Sequence, residues 1–406
     1  LTLTRICLKS LVFRANPYGR KGKNMDSQRK NELVLSQSDF ELFALIKEGI
    51  LGPCTHLMSK NETNEVLQKQ SYKGEMTPYS FSFAPQNVDL SKAKAGDEFA
   101  LVCEGERVGK FRLNEKFQHK GDIKSIFTPN SCFVDDCVYI SGDFELENSP
   151  IAKVKQDFER LKAHLNAQKI TAIIASLDPL HRAHERIFRW TIDKADLIVV
   201  FLIESYEKNG LEFELKKACL EKFIELYLPK DRIFVFPLRH IGVFSTHLNV
   251  ILEATIAKNL GCTKLVVGQN HAGLGMFYEQ NRPRTILDDI SQRFGIEVVV
   301  LPEFVYCDKC KISVSTRSCP HGSHHHIKFH SNSLKDLLKT GIIPPTIFMR
   351  REISAMILKH FFPNRFEKVQ NIYNDLFPNT GIVAAHKKDE DFYEQLLSMY
   401  QVAYMV

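Results

Sequence analysis

The chain is 406 residues long, and nowhere does it carry an apolar run approaching the roughly 20 residues needed to cross a bilayer. A soluble protein with no membrane partner is therefore expected. There is also no dense Lys/Arg stripe. The net charge of +6 is spread along the sequence, which argues against a nucleic-acid partner and weakly favours anionic ligands. The ten cysteines are scattered rather than arranged as a secreted disulfide framework, so a reducing cytoplasm fits best. No internal repeat is present, and no low-complexity tract beyond the histidines around 321 to 326. Residues 1–24 are basic and weakly hydrophobic, but Lys9 and Arg14 interrupt any signal-peptide core and no small-residue cleavage site comes after them. Because the first methionine is Met25, residues 1–24 are expected to be a disordered upstream extension.

What is present is an ordinary globular composition, 44% hydrophobic and 25% charged, at a length that predicts two or three domains. Residues 31–48 have helical periodicity, which Gly49, Gly52 and Pro53 end. Residues 96–117 alternate apolar and polar on either side of Glu104-Gly105, a hairpin signal, and 134–146 reads as further strand. A helix over 158–165 links this β-rich first domain, residues 25–168, to the remainder of the chain. From Thr171 the pattern becomes strand, helix, strand, helix as far as Leu301, which predicts a parallel sheet covered by helices on both faces over residues 169–304. Residues 305–406 form a C-terminal metal-binding and helical subdomain.

Ligands of such sheets bind outside the carboxyl ends of the strands. Two turns leave their strands there. The first is TAIIASLDPLHRAHERIFRW at 171–190, in which His181 and His184 lie three apart at the start of a helix, beside its first N–H groups and the positive end of its dipole. The second is VVGQNHAGLG at 266–275, where Gly268, Gly273 and Gly275 let backbone N–H groups approach an anion beside His271. Further on, Cys307, Cys310 and Cys319 supply three thiolates, and with a nearby histidine they suit a closed structural zinc site. The fourth ligand is open among His321, His324, His325 and His326. His324 is favoured, because two ligands flanking Pro320 would be cramped. Ser331, Asn332 and Ser333 read as helix caps first and phosphate ligands second, and Lys335 could reach the same cleft.

These segments together resemble the sulfate adenylyltransferase (ATP sulfurylase) family of the bacterial and archaeal type. GILGPCTHLM resembles the family's G-x-F-S-P-L-x-G-F-M, DPLHRAHE its N-P-x-H-x-x-H-E, and AKNLGCTKLVVGQNHAG its K-N-Y-G-C-T-H-x-x-V-G-R-D-H-A-G. The first-domain hairpin, the metal knuckle and FHSNSLKDLLKTGIIPPTIFMRREI also have their counterparts, in order, over about residues 33–354. The resemblance implies a PUA-like first domain, a Rossmann-like nucleotidyltransferase domain and a zinc knuckle. It implies the reaction of ATP, escorted by magnesium, with sulfate to give adenylyl sulfate and pyrophosphate. His181 and His184 match the residues that hold the β- and γ-phosphates, while Gly268, His271, Ala272 and Gly273 match the loop around the nucleotide. Lys335 stands where the family has arginine.

The acceptor positions depart from the pattern. The family's Q-x-R-N reads Ala175-Ser176-Leu177-Asp178, and its G-R-D-H-A-G begins Gly268-Gln269-Asn270. Two arginines and a glutamine are replaced by Leu177, Gln269 and Ala175, and Asp178 adds a negative charge. At roughly 1.5–3 kcal/mol for each lost charged hydrogen bond, sulfate binding weakens by powers of ten. The sequence therefore points to an ATP-dependent adenylyltransferase acting on another small-molecule acceptor. Genuine sulfate use through a rebuilt site and a non-catalytic nucleotide-binding scaffold are the alternatives, and homo-oligomerisation is left open.

Overall fold

The computed structural model of the chain describes residues 31–86, 88–119, 123–127, 137–204, 210–239, 241, 248–268, 286–363, 365, 368–377 and 388–402. The first part comprises β1 (Glu32–Leu35), α1 (Gln37–Lys47), α2 (Lys60–Lys69), β2 (Ser71–Tyr72), β3 (Glu75–Met76), β4 (Glu98–Cys103), β5 (Glu106–Gln118) and β6 (Val138–Leu146). The helix expected from residue 31 starts only at Gln37. Ser36 caps it, accepting from the Asp39 N–H while the Asp39 carboxylate accepts from the Ser36 N–H. Ahead of that cap, Leu33 and Leu35 are buried on alternate positions of a strand that pairs in parallel with β4. The β4–β5 hairpin is as expected: Glu104 and Gly105 both take positive φ, 51° and 86°, as a two-residue hairpin turn demands.

Next come α3 (Pro150–His164), β7 (Ile170–Ala175), α4 (Arg182–Ile192), β8 (Leu197–Ile203), α5 (Phe213–Tyr227), β9 (Ile233–Leu238), α6 (Leu248–Asn259), β10 (Lys264–Gly268), α7 (Ile286–Phe294) and β11 (Glu297–Leu301). The linking helix α3 thus begins earlier than expected, because Ser149 accepts from the Ala152 N–H and Pro150 opens the first turn. The five strands form one all-parallel sheet in the order β11-β10-β7-β8-β9. All seven residues of β8 are buried. Leu197, Val199, Phe201 and Ile203 join the core shared with the N-terminal layer, whereas Ile198, Val200 and Leu202 join the core under α4, α5 and the C-terminal helices. The alternation shows a sheet covered on both faces.

The chain continues through β12 (Phe304–Cys307), β13 (Ile312–Ser315) and β14 (His326–Lys328), an antiparallel three-stranded sheet with β12 in the middle. The helices α8 (Ser331–Lys339), α9 (Arg351–Phe361), α10 (Val369–Leu376) and α11 (Asp389–Val402) complete it. Among the described residues no helix is long and apolar enough to cross a membrane.

Candidate active site

Strand order locates the site. From β7 the chain adds β8 and β9 on one side, then returns to place β10 and β11 on the other, so the order reverses between β7 and β10. A crevice opens outside the carboxyl ends of strands at such a point. The turn after β7 carries His181 and His184 into it. Gln269, His271, Ala272 and Gly273, from the turn after β10, lie outside the described residues.

His181 precedes the first turn of α4, and its N–H donates to Nδ1 of His184 at 3.2 Å. That bond fixes Nε2 as the protonated, donating nitrogen of His184. The two rings stack with centroids 3.8 Å apart, and His181 stacks in turn on Phe329 at 5.5 Å. Burial pushes His184 down to about 4; burial, together with His184, pushes His181 well below its ordinary value. Both imidazoles are therefore neutral at pH 7 without a ligand. His181 Nε2 lies 3.2 Å from the Ser331 hydroxyl, and its Nδ1 is buried with no partner. A buried polar atom left unpaired is costly; with the Ser331 hydroxyl donating to Nε2, Nδ1 carries the ring proton, and an arriving phosphate oxygen would pair it. The backbone offers less than the sequence suggests, because the Arg182 N–H is taken by the Phe348 carbonyl at 2.8 Å.

The helix start is clamped by Glu185. Its carboxylate, 9% exposed, binds Arg182 at 2.9 Å, Arg189 at 3.0 Å and Arg350 at 2.6 Å. Burial opposes its ionisation, but the Arg350 hydrogen bond and the charge of Arg182 outweigh it and hold the acid at about 2. Arg182 also donates to the Thr346 carbonyl, so its guanidinium is committed to this clamp.

The acceptor positions differ from what their charges suggest. Asp178 is buried, and its carboxylate meets Lys335 Nζ at 2.9 Å and the Leu211 N–H at 2.9 Å. The negative charge added at this position is thus matched by a lysine 157 residues away, and the Lys335 ammonium is itself buried in that pair. Leu177 is 2% exposed and packs in the core beneath the turn. Lys216, fully buried on α5, donates to the Ile203 carbonyl; burial lowers its pKa while Asp178 opposes the shift.

The metal cluster forms, with one correction. Cys307, Cys310, Cys319 and His321 bring their ligand atoms within 4.8 Å of one another, and His324 is not in the set. His321 uses Nδ1, the ring nitrogen nearer the backbone, which lies 3.5, 3.3 and 3.6 Å from the three sulfurs in chain order. That short reach removes the crowding expected around Pro320. Cys310 and Cys319 sulfurs are 3.8 Å apart. A tetrahedral ion with metal–sulfur bonds of about 2.3 Å has sulfur–sulfur edges of about 3.8 Å, so the donors fit a four-coordinate site.

Sequence reasoning missed the role of Ser331, Lys216 and the Glu185 clamp. Ser331 reads as a cap in the sequence, but α8 starts on it and its hydroxyl turns to His181. Lys216 has a legible signal: it falls between Phe213 and Leu220 on the buried stripe of α5, where an unpaired lysine is rare.

Strand order, helix cover and the histidines at the switch point place the chain among Rossmann-like α/β proteins. Residues 149–360 match the ATP-sulfurylase family, and the chain belongs to it. It is 25% identical over 362 residues to a sulfate adenylyltransferase of Cenarchaeum symbiosum, covering 82% of this chain and 93% of that protein. A sulfate adenylyltransferase of Carboxydothermus hydrogenoformans is 30% identical over 191 residues, 45% of this chain and 49% of that protein. Among solved structures, a hexameric APS kinase from Thiobacillus denitrificans superposes with a TM-score of 0.61 at 16% identity, over 82% of this chain and 64% of that one. That likeness concerns the fold.

Proposed function

We propose that this chain is an ATP-dependent adenylyltransferase whose acceptor is not sulfate. The observation that carries the reading is the contrast across the crevice: stacked His181 and His184 with a buried, unpartnered Nδ1 on one side, and Ala175, buried Leu177 and salt-bridged Asp178 on the other. ATP, with its magnesium, places its β- and γ-phosphates at the start of α4. The nucleotide loop then comprises Gly268, His271, Ala272 and Gly273. An acceptor oxygen attacks the α-phosphorus directly and pyrophosphate leaves, so the protein's part is positioning and charge stabilisation. The neutral imidazoles donate hydrogen bonds to the phosphates. The approach of that negative charge raises their pKa and favours the imidazolium form as charge develops on pyrophosphate. Ser331 and the Glu185 clamp hold the rings in place.

Cys307, Cys310, Cys319 and His321 are proposed to hold a structural zinc, which would tie β12 to the segment leading into α8 and so to Ser331. Zinc there supplies folding energy rather than chemistry. The test is ATP binding and ATP–pyrophosphate exchange in wild type, His181→Ala, His184→Ala and the variant that carries both, with far-ultraviolet circular dichroism as the folding control. Loss of ATP binding in folded variants supports the reading. Equal ATP affinity in wild type and the double variant refutes it and favours a scaffold.

A further inference from the structure

Beneath the paired histidines a cavity of about 240 Å³ lies between the carboxyl ends of β7, β10 and β11 and the underside of α4. Its walls include Ile173, Leu177, Ile187, Phe188, Val266 and Leu301, and among the described residues the polar side chains lining it are those of His184 and Ser176. We propose that this cavity receives the apolar body of the acceptor, and that the acceptor is a small carboxylic acid with an aliphatic or aromatic tail rather than an inorganic oxyanion. The inference rests on the adenylyl-transfer reading above and names its substrate class.

Three observations lead there. The cavity is on the acceptor side of the site, because Ala175, Ser176 and Leu177 line it and occupy the positions of the family's Q-x-R. Among the described residues no charged side chain lines it and its walls are largely apolar, so an apolar tail gains by leaving water there, whereas a sulfate dianion would give up its hydration for little in return. Thirdly, the described residues beside the cavity are short of bases. His184 is pushed down to about 4 and Glu185 is committed to three arginines, so an alcohol would have no effective group to take its proton. A carboxylate is already ionised at neutral pH. It would accept from the Ser176 hydroxyl at the mouth, which leaves the His184 Nε2–H to the phosphates, while its tail fills the pocket. One carboxylate oxygen forms a bond to the α-phosphorus, the bond from that phosphorus to the bridging oxygen breaks, and pyrophosphate carries away the electron pair. The product is an acyl adenylate, and no proton need be removed from the attacking oxygen.

Size sets the length of the tail. At about 30 Å³ per water-sized group, the space takes about eight non-hydrogen atoms. The experiment measures ATP–pyrophosphate exchange by the full chain with zinc and magnesium, across the unbranched acids from acetate to decanoate, with sulfate in parallel. KM is expected to fall about fourfold per added methylene until the tail fills the cavity near octanoate, and then to rise. A KM indifferent to chain length, no exchange with any acid, or faster exchange with sulfate than with the best acid overturns the acceptor class. Binding of a non-hydrolysable ATP analogue is measured separately, and its absence overturns the adenylyl-transfer reading instead. Val266→Phe, which narrows the cavity, should raise KM for octanoate about tenfold or more, whereas a loss of ATP affinity in its place would assign the cavity to the nucleotide and overturn the proposal.

Discussion

Removing the charge of Lys335 separates its two roles, nucleotide ligand and internal counter-ion. The side chains of Lys335 and Asp178 are 3% and 6% exposed and meet at 2.9 Å. Lys335→Met keeps the length of the side chain and leaves Asp178 without that partner. Breaking a buried pair in this way costs about 3–5 kcal/mol. The lower end, about 3 kcal/mol, is expected here, because the Leu211 N–H stays bonded to Asp178 and the charge of Lys216 also acts on it. Asp178→Asn combined with Lys335→Met removes both charges and should recover stability to within about 1 kcal/mol of wild type. Urea unfolding reads the difference through Trp190, the single tryptophan, which sits on α4 next to the site. If Lys335→Met costs less than about 1 kcal/mol, or if the double variant is no better than the single, the buried pair does not hold this turn. ATP affinity decides the second role: retained in the stable double variant if Lys335 is a counter-ion, lost if it binds the nucleotide.

Zinc content should be about one per chain, and Cys307→Ser or His321→Ala should lower both it and the melting temperature while His324→Ala does neither; full stability after exhaustive chelation would remove the structural role. Burial holds His184 at about 4 against 6.5 in the unfolded chain, so the unfolded state binds the extra proton between those values. That stability is complete above pH 6.5 and lost as pH falls toward 4, roughly 3 kcal/mol at 1.4 per unit; His184→Asn should flatten the acid limb of melting temperature against pH. Sulfate-dependent pyrophosphate exchange should be negligible in the wild type, and Ala175→Gln, Leu177→Arg, Asp178→Asn and Gln269→Arg together should create or raise it. Substantial wild-type turnover at millimolar sulfate would show that other cations have taken over.

The alternation after Thr171 makes the parallel sheet legible, because strands buried on both faces must be apolar throughout, as Leu197–Ile203 is. The two histidines are legible from spacing and from the strand before them. What cannot be read is pairing across distance. Asp178 looks like an unfavourable charge because nothing local shows that Lys335 folds onto it. Ser331 looks like a cap because cap and ligand use the same residue types, and only the packing of α8 against the site decides which. The choice between His321 and His324 turns on which ring nitrogen faces the thiols, a rotamer matter that spacing does not encode.

The contacts that complete the site span 150 residues between His181 and Ser331 and 157 between Asp178 and Lys335. During synthesis at 5–20 residues per second, α4 therefore waits about 8–30 s for the segment that covers it. In that interval Asp178 lacks Lys335, and the face of α5 destined for α9 meets solvent. The nascent chain is then most open to proteases and to sticking. The knuckle of three cysteines and His321 is complete ten residues before Ser331, so a metal bound there would be captured just ahead of closure. A cell short of that metal would accumulate chains stalled with the crevice open, and the shortage would be felt as lost protein before it was felt as slowed chemistry.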